Sequence, residues 1–236
     1  MALKNPFRGF RFPAEVILWA VRWYLRFSLS FRDLEQMLAE RGVRVDHVSL
    51  HRWVQRFAPE LEQRVRPHLR PCGRTWHVDE TYVRVGGGWR YLYRAVDGAG
   101  RTVEFLLSAA RDAAAARRFF LRALGGGRAR PPRLVVTDRL ASYRTALGGP
   151  EREGRLPAPV RHLRGRWPDN RVEQDHRRIK RRTRPMLGFK RFATARRALA
   201  GIEAMAMLAK GQVRRVGPAD APAQHAFVHR LFGVAA

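Results

Sequence analysis

Apolar residues recur at helical spacing over residues 13–27, where Val16, Trp19, Ala20, Trp23 and Phe27 share a face behind Pro13, and this predicts an opening helix. Ser30 with Asp33 three residues on forms a capping-box pattern ahead of the next stripe, which stops at Gly42. Asp46 is placed to cap a helix over 47–57, with Val48, Trp53, Val54 and Phe57 turned inward. A separate helix is expected over 60–70, where Pro67, Pro71 and Gly73 mark a linker. The period then changes from helical to alternating. Residues 75–85, 89–97 and 101–108 are β-branched and aromatic runs divided by Gly86-Gly87-Gly88 and Gly98-Ala99-Gly100, a meander of antiparallel strands. Asp112 caps an Ala-rich helix with Ala116, Phe119, Phe120 and Leu124 inward, and 132–137 is a short apolar run of the kind that forms a central parallel strand. A short helix at 140–147, a strand at 160–163, a helix from Pro168 to Arg184 and a long helix over 189–212 complete the order.

Three antiparallel strands followed by helix, strand, helix, strand, helix is the order of an RNase H-like α/β fold of the retroviral-integrase type, with a mixed five-stranded sheet. Ahead of it, two helices joined by a short Gly-containing turn have the helix-turn-helix arrangement. The expected division is an all-α DNA-binding domain over 1–70, a linker over 71–74, the RNase H-like domain over 75–212 and a tail over 213–236. The long helix, with Phe192, Ala195, Leu199, Ile202, Ala206 and Ala209 in one stripe, is expected to pack on the RNase H-like domain. The tail is expected to be loosely ordered up to His225.

Charge narrows the partner. Across 236 residues, 47 Lys and Arg face 20 Asp and Glu, a net charge of +27, which calls for a polyanion such as nucleic acid. Coding bias can favour Arg over Lys, but it does not remove acids. The single cysteine, Cys72, excludes an intrachain disulfide or a Cys-rich zinc site and suits a reducing compartment. The run Val16 to Val21 is interrupted by Arg22 and Arg26, too short for a membrane span, so a soluble, cytoplasmic, nucleoid-associated protein with no membrane partner is expected.

Candidate chemistry concentrates on the helix after Pro168. Glu173 and Lys180 stand two turns apart on one stripe shared with Asn170, His176 and Arg177, so one acid sits in a row of bases and amides. In the expected sheet Asp79, midway along the first strand, stands beside Asp138 at the end of the fourth, and the helix brings Glu173 to the same edge. Three carboxylates within about 4–6 Å repel strongly, and two divalent ions about 3.5–4 Å apart relieve that repulsion. Oxygen donors favour Mg²⁺, for which Mn²⁺ can substitute. Glu80 points to the other strand face as a structural partner, Asp97 suits a turn, and Asp175, about 200° around the helix from Glu173, suits a salt bridge to an arginine. On the helix-turn-helix, His47, Ser49, His51, Arg52, Gln55 and Arg56 are candidate groove contacts, though an ordinary helical hairpin would show the same polar face.

With these residues placed, the chain resembles the DDE transposases of bacterial insertion sequences, most closely the IS-six family. The resemblance runs nearly end to end and is carried by Val78-Asp79-Glu80-Thr81-Tyr82, Tyr91 to Asp97, Thr137-Asp138, Asn170 to His176 and Arg184 to Phe189, with 34 residues between Asp138 and Glu173. It implies a metal-dependent strand transferase that binds terminal inverted repeats, exposes 3′ hydroxyls and joins them to target DNA, generally by a cointegrate-forming route. It implies Asp79, Asp138 and Glu173 as catalytic metal ligands and Lys180 as a DNA contact near the scissile phosphate. Arg139 stands where relatives often carry Lys. Two DNA ends must be synapsed, so a homodimer or larger assembly is expected. The rival reading is a DNA-binding regulator with an inert RNase H-like body.

Overall fold

The structure, a computed structural model, describes residues 6–125, 130–138, 141–154, 156, 160–165, 170–186 and 188–235. In chain order its elements are α1 (Ala14–Arg26), α2 (Phe31–Ala39), α3 (His47–Val65), β1 (Thr75–Val85), β2 (Gly88–Asp97), β3 (Thr102–Ser108), α4 (Ala113–Gly125) and β4 (Leu134–Thr137). They continue with α5 (Ala141–Arg152), β5 (Arg161–Arg164), α6 (Asn170–Thr183), α7 (Phe192–Ala209) and α8 (Ala221–Leu231). The chain divides into a helical unit, residues 1–69 with 181–236, and a sheet unit, residues 70–180.

In the helical unit the local signals hold and the buried faces shift. Ser30 and Asp33 make both bonds of the capping box, and Gly42 takes a φ of 74° where α2 ends. Asp46 accepts from the backbone N–H groups of Val48 and Ser49, each at 2.9 Å. The core face of α1 is Ile17, Leu18, Val21, Tyr24 and Leu25, while Trp19 and Phe27 are exposed. The helix is apolar most of the way round, so periodicity alone could not choose the stripe. Val48 is likewise exposed, being about 200° from Leu50 on the helix, and Leu50, Trp53, Val54 and Phe57 are the inward residues. No break follows Phe57: α3 runs through Pro59 to Val65. Proline sacrifices one backbone bond there, and burial of Phe57, Ala58, Leu61 and Val65 outweighs it.

Two further expectations are corrected here. The long helix α7 belongs with α1 and α3 rather than with the sheet, and it is buried nearly all round from Ala198 to Leu208. Gly201 permits this approach: a Cβ there would lie 2.6 Å from Leu25 Cδ1 and 2.7 Å from the Ala58 Cβ. The tail is also ordered, because Asp220 caps α8 and Phe232 packs against the rings of Phe7 and Phe57. Gly201→Ala is therefore expected to destabilise the helical unit by about 1–3 kcal/mol. Urea unfolding checks this, and an unchanged midpoint would mean that the helices separate without cost.

The sheet unit has the expected RNase H-like arrangement. Its strand order is β3-β2-β1-β4-β5, with β2 antiparallel to β1 and β3, and β4 parallel to β1 and β5. Trp76 and Val78 of β1 face Ala115, Ala116, Phe119, Phe120 and Tyr143 of α4 and α5 in its apolar core. Asp97 ends β2 as a buried turn acid, accepting from the backbone N–H groups of Gly73, Ala99 and Arg101. Among the described residues no helix is long and apolar enough to cross a membrane.

Candidate active site

The register of β1 with β4 brings two acids level. His77 pairs with Val136, and β4 stops at Thr137, so Asp138 leaves the sheet two residues further on, beside Asp79. Asp79, Glu80 and Asp138 each offer a carboxylate oxygen within 4.8 Å of the others. Glu80 follows Trp76 and Val78 on the helix-facing side of β1, where it is buried. There it accepts hydrogen bonds from the Tyr143 hydroxyl and the Arg111 guanidinium, and Arg111 also stands 3.8 Å from Asp138. Glu80 is thus bound by partners of its own, while Asp79 and Asp138 stay partly open to solvent.

The electrostatics favour an added cation. Burial first, and then the nearby charges of Glu80 and Asp138, push the Asp79 carboxyl up to about 7. His176 faces it at 3.6 Å, but burial and the Arg94 and Lys180 cations push that imidazole down to about 3. The ring is therefore neutral at physiological pH and cannot neutralise Asp79. Three carboxylates confined together, with Arg111 their charged partner, are a donor set that fits a hard divalent cation.

Helix α6 reaches this edge through a buried stripe of Val172, Asp175, His176 and Ile179, spaced as one face of a helix. Asp175 meets Arg94 of β2 at 2.7 Å, both side chains being almost fully buried. Arg94, set between Tyr91-Leu92-Tyr93 and Ala95-Val96, was the sequence signal for such a partner. Glu173 rides on the first turn of α6, and its carboxylate lies 3.9 Å from Arg177, outside the group formed by Asp79, Glu80 and Asp138. His176, expected on the same polar stripe, faces inward. Arg177 and Lys180 are on the exposed side. Arg139 and the side chain of Asn170 lie outside the described residues.

In the helical unit Ser49 donates its hydroxyl to Asp46 at 2.8 Å, Gln55 donates to the Thr194 carbonyl, His51 meets the Phe31 ring edge-on, and His47 pairs with Glu35. Arg56 stands 3.5 Å from Glu60, and Arg52 is exposed. Reasoning from sequence missed Tyr143 and Arg111 as partners of Glu80. The one available signal for Arg111 was its position at the junction just before the helix cap Asp112.

A family model described as the DDE domain matches residues 73–212. The transposase for insertion sequence-like element IS431mec of Staphylococcus aureus (strain Mu50 / ATCC 700699) is 38% identical over 207 residues, covering 87% of this chain and 89% of the relative. The same figures hold for the transposase for insertion sequence element IS257 in transposon Tn4003 of Staphylococcus aureus. Among solved structures, the HTLV-2 integrase catalytic core domain in complex with magnesium (dimeric form) covers 61% of this chain and 97% of its own at 15% identity, with a TM-score of 0.43.

Proposed function

The chain belongs to the DDE transposases of bacterial insertion sequences, in the IS-six family, and on that premise we propose that it binds the terminal inverted repeats of its element and joins their 3′ hydroxyls to target DNA by a cointegrate-forming route. The observation that carries this reading is the meeting of Asp79, midway along β1, and Asp138, just past the end of the parallel strand β4, with Asp79 held above its ordinary value by burial and then by its acidic neighbours. Asp79 and Asp138 are the two ligands contributed by the sheet unit, and Glu173, on the first turn of α6 with 34 residues between it and Asp138, is the third. Two Mg²⁺ ions, or Mn²⁺ in their place, would supply Lewis-acid activation for in-line displacement at a phosphodiester.

The rest of the chemistry belongs to the protein. Tyr143 and Arg111 keep Glu80 fixed, so that its charge acts on Asp79 without its carboxylate swinging free. The exposed cations of α6, Arg177 and Lys180, together with Arg139, bind backbone phosphates, which supply most of the affinity and make it salt-dependent. On α3, Arg52 is the most available of the groove contacts, and Ser49, His51, Gln55 and Arg56 set the helix surface around it. Because two ends react together, the active form is a homodimer or larger.

End-labelled terminal-repeat duplex, target DNA and Mg²⁺ test the reading. Joined products are expected. Nicked ends without joining would make the chain a nuclease, and binding without either product would make it a regulator with an inert body.

A further inference from the structure

Beyond the acid cluster, β1 and β2 continue into a hairpin whose helix-facing side is left open. Tyr82 and Trp89 are among the most exposed large hydrophobic side chains described, at 47% and 59%. They are not scattered. Tyr82 is the strand partner of Tyr91, and Arg84 that of Trp89, so all four side chains lie on one face. The Tyr82 ring stands 5.4 Å from Tyr91 and 6.1 Å from Trp89, and Tyr91 packs in turn against the apolar core. Arg84 is exposed beside them.

This patch begins where the site ends. Tyr82 follows Glu80 on the same face of β1, and Glu80 meets Arg111, the guanidinium that also lies 3.8 Å from Asp138. Asp79 itself points to the opposite face, but Tyr82 is two residues beyond Glu80, about 7 Å at 3.3 Å per residue or roughly two base steps at 3.4 Å, and Glu80 offers an oxygen within 4.8 Å of those of Asp79 and Asp138. Rings flanked by arginines in a chain of net charge +27 suit a polyanion that also carries flat faces. Single-stranded nucleic acid has that chemistry, because every base has a π-face to stack. A duplex keeps its bases covered.

We propose that Tyr82, Tyr91 and Trp89 form a stacking platform for unpaired bases of the DNA end whose phosphate is engaged at Asp79 and Asp138. The proposal rests on the transposase reading and deepens it: the platform favours ends that have come apart over the last few base pairs. Tyr91 anchors the platform to the core, and Tyr82 and Trp89 supply the open ring faces.

The test uses the full chain and three terminal-repeat duplexes, one blunt and two with a three-nucleotide unpaired tail on either strand, 2-aminopurine being placed in the tail. Anisotropy is expected to show one tailed duplex bound about tenfold tighter than the blunt one, with its 2-aminopurine quenched by stacking. Trp89→Ala and Tyr82→Ala should each bring the two affinities to within about twofold and restore the fluorescence. Trp89→Phe and Tyr82→Phe should keep the preference, and blunt-duplex affinity should be constant throughout. A tail preference that survives both alanine variants overturns the platform. So does a Trp89→Ala chain that changes from dimer to monomer in sedimentation with its tail preference intact, which would assign the face to a second copy. Failure of the native chain to bind any of the duplexes would overturn the transposase reading itself, and the platform with it.

Discussion

Asp79→Asn is expected to abolish strand joining, by at least a thousandfold, and at the same time to make the metal-free protein more stable at pH 8. Both effects come from one carboxylate. In joining, the replacement removes a ligand that an amide of the same shape cannot match in charge. In stability, the sign follows from the upward displacement of Asp79 from 3.8 to about 7, caused first by burial and then by Glu80 and Asp138. A group raised on folding contributes stability that is complete below its unfolded value, near pH 4, and is lost as pH rises through about 7. Above that pH the folded chain carries an uncompensated carboxylate. The full displacement corresponds to roughly 4 kcal/mol at 1.36 kcal/mol per pH unit. About a third of the side chain is in water, so solvent screening reduces this to about 1–2 kcal/mol.

Thermal unfolding of the native and Asp79→Asn proteins in EDTA should therefore coincide near pH 4 and separate between pH 5 and 8, with the variant higher. Added Mg²⁺ should raise the native melting temperature and leave the variant's unchanged, since a ligand stabilises only the state that binds it. Parallel pH profiles for the two proteins would show that burial and the neighbouring acids do not raise Asp79 on folding. A variant that still joins DNA would remove it from the site.

Separating Arg94 from Asp175 is expected to be the costliest change in the sheet unit. Their contact of 2.7 Å is nearly free of water, and α6 carries Glu173 and His176 on the helix that it holds to β2. Removing one partner leaves the other charge buried, which typically costs about 3–5 kcal/mol. Arg94→Met and Asp175→Leu should each lose that much in urea unfolding. The double replacement Arg94→Met with Asp175→Leu should return to within about 2 kcal/mol of the native chain, since an apolar pair of similar volume needs no desolvation of charge. Single variants that lose less than about 1 kcal/mol would mean that water reaches the pair. Mg²⁺ stabilisation of the double variant gives a second readout: if the pair also sets where α6 presents Glu173, the metal-dependent rise in melting temperature falls even though folding has recovered.

Much of the fold and part of the site could be read along the chain. The capping box at Ser30 and Asp33, the cap at Asp46, the glycine turns of the meander and the apolar run of β4 are local signals, and local sterics and hydrogen bonds decide them. Alternation along β1 separates Asp79 from Glu80, and the parallel order of β1 and β4 brings Asp79 beside Asp138. The motif phrases and their spacing carried the family. What lay beyond reading was which faces meet. The apolar girth of α1 left its inward side open, Val48 was one step too early for the α3 core, and a stripe on α7 could not say which layer it would enter. Gly201 settled that, because a missing Cβ matters only when Leu25 and Ala58 arrive opposite it.

The same division runs through the chemistry. By itself the sequence determined the residue types, their period and hence the mid-strand, strand-end and first-turn positions of Asp79, Asp138 and Glu173, because those depend on interactions among near neighbours. Only the tertiary structure decided that Tyr143 and Arg111 hold Glu80 and that Arg94 pairs with Asp175. Such pairings join residues far apart along the chain. They exist only after burial has removed water and left each charge or ring with the neighbour that packing brings to it.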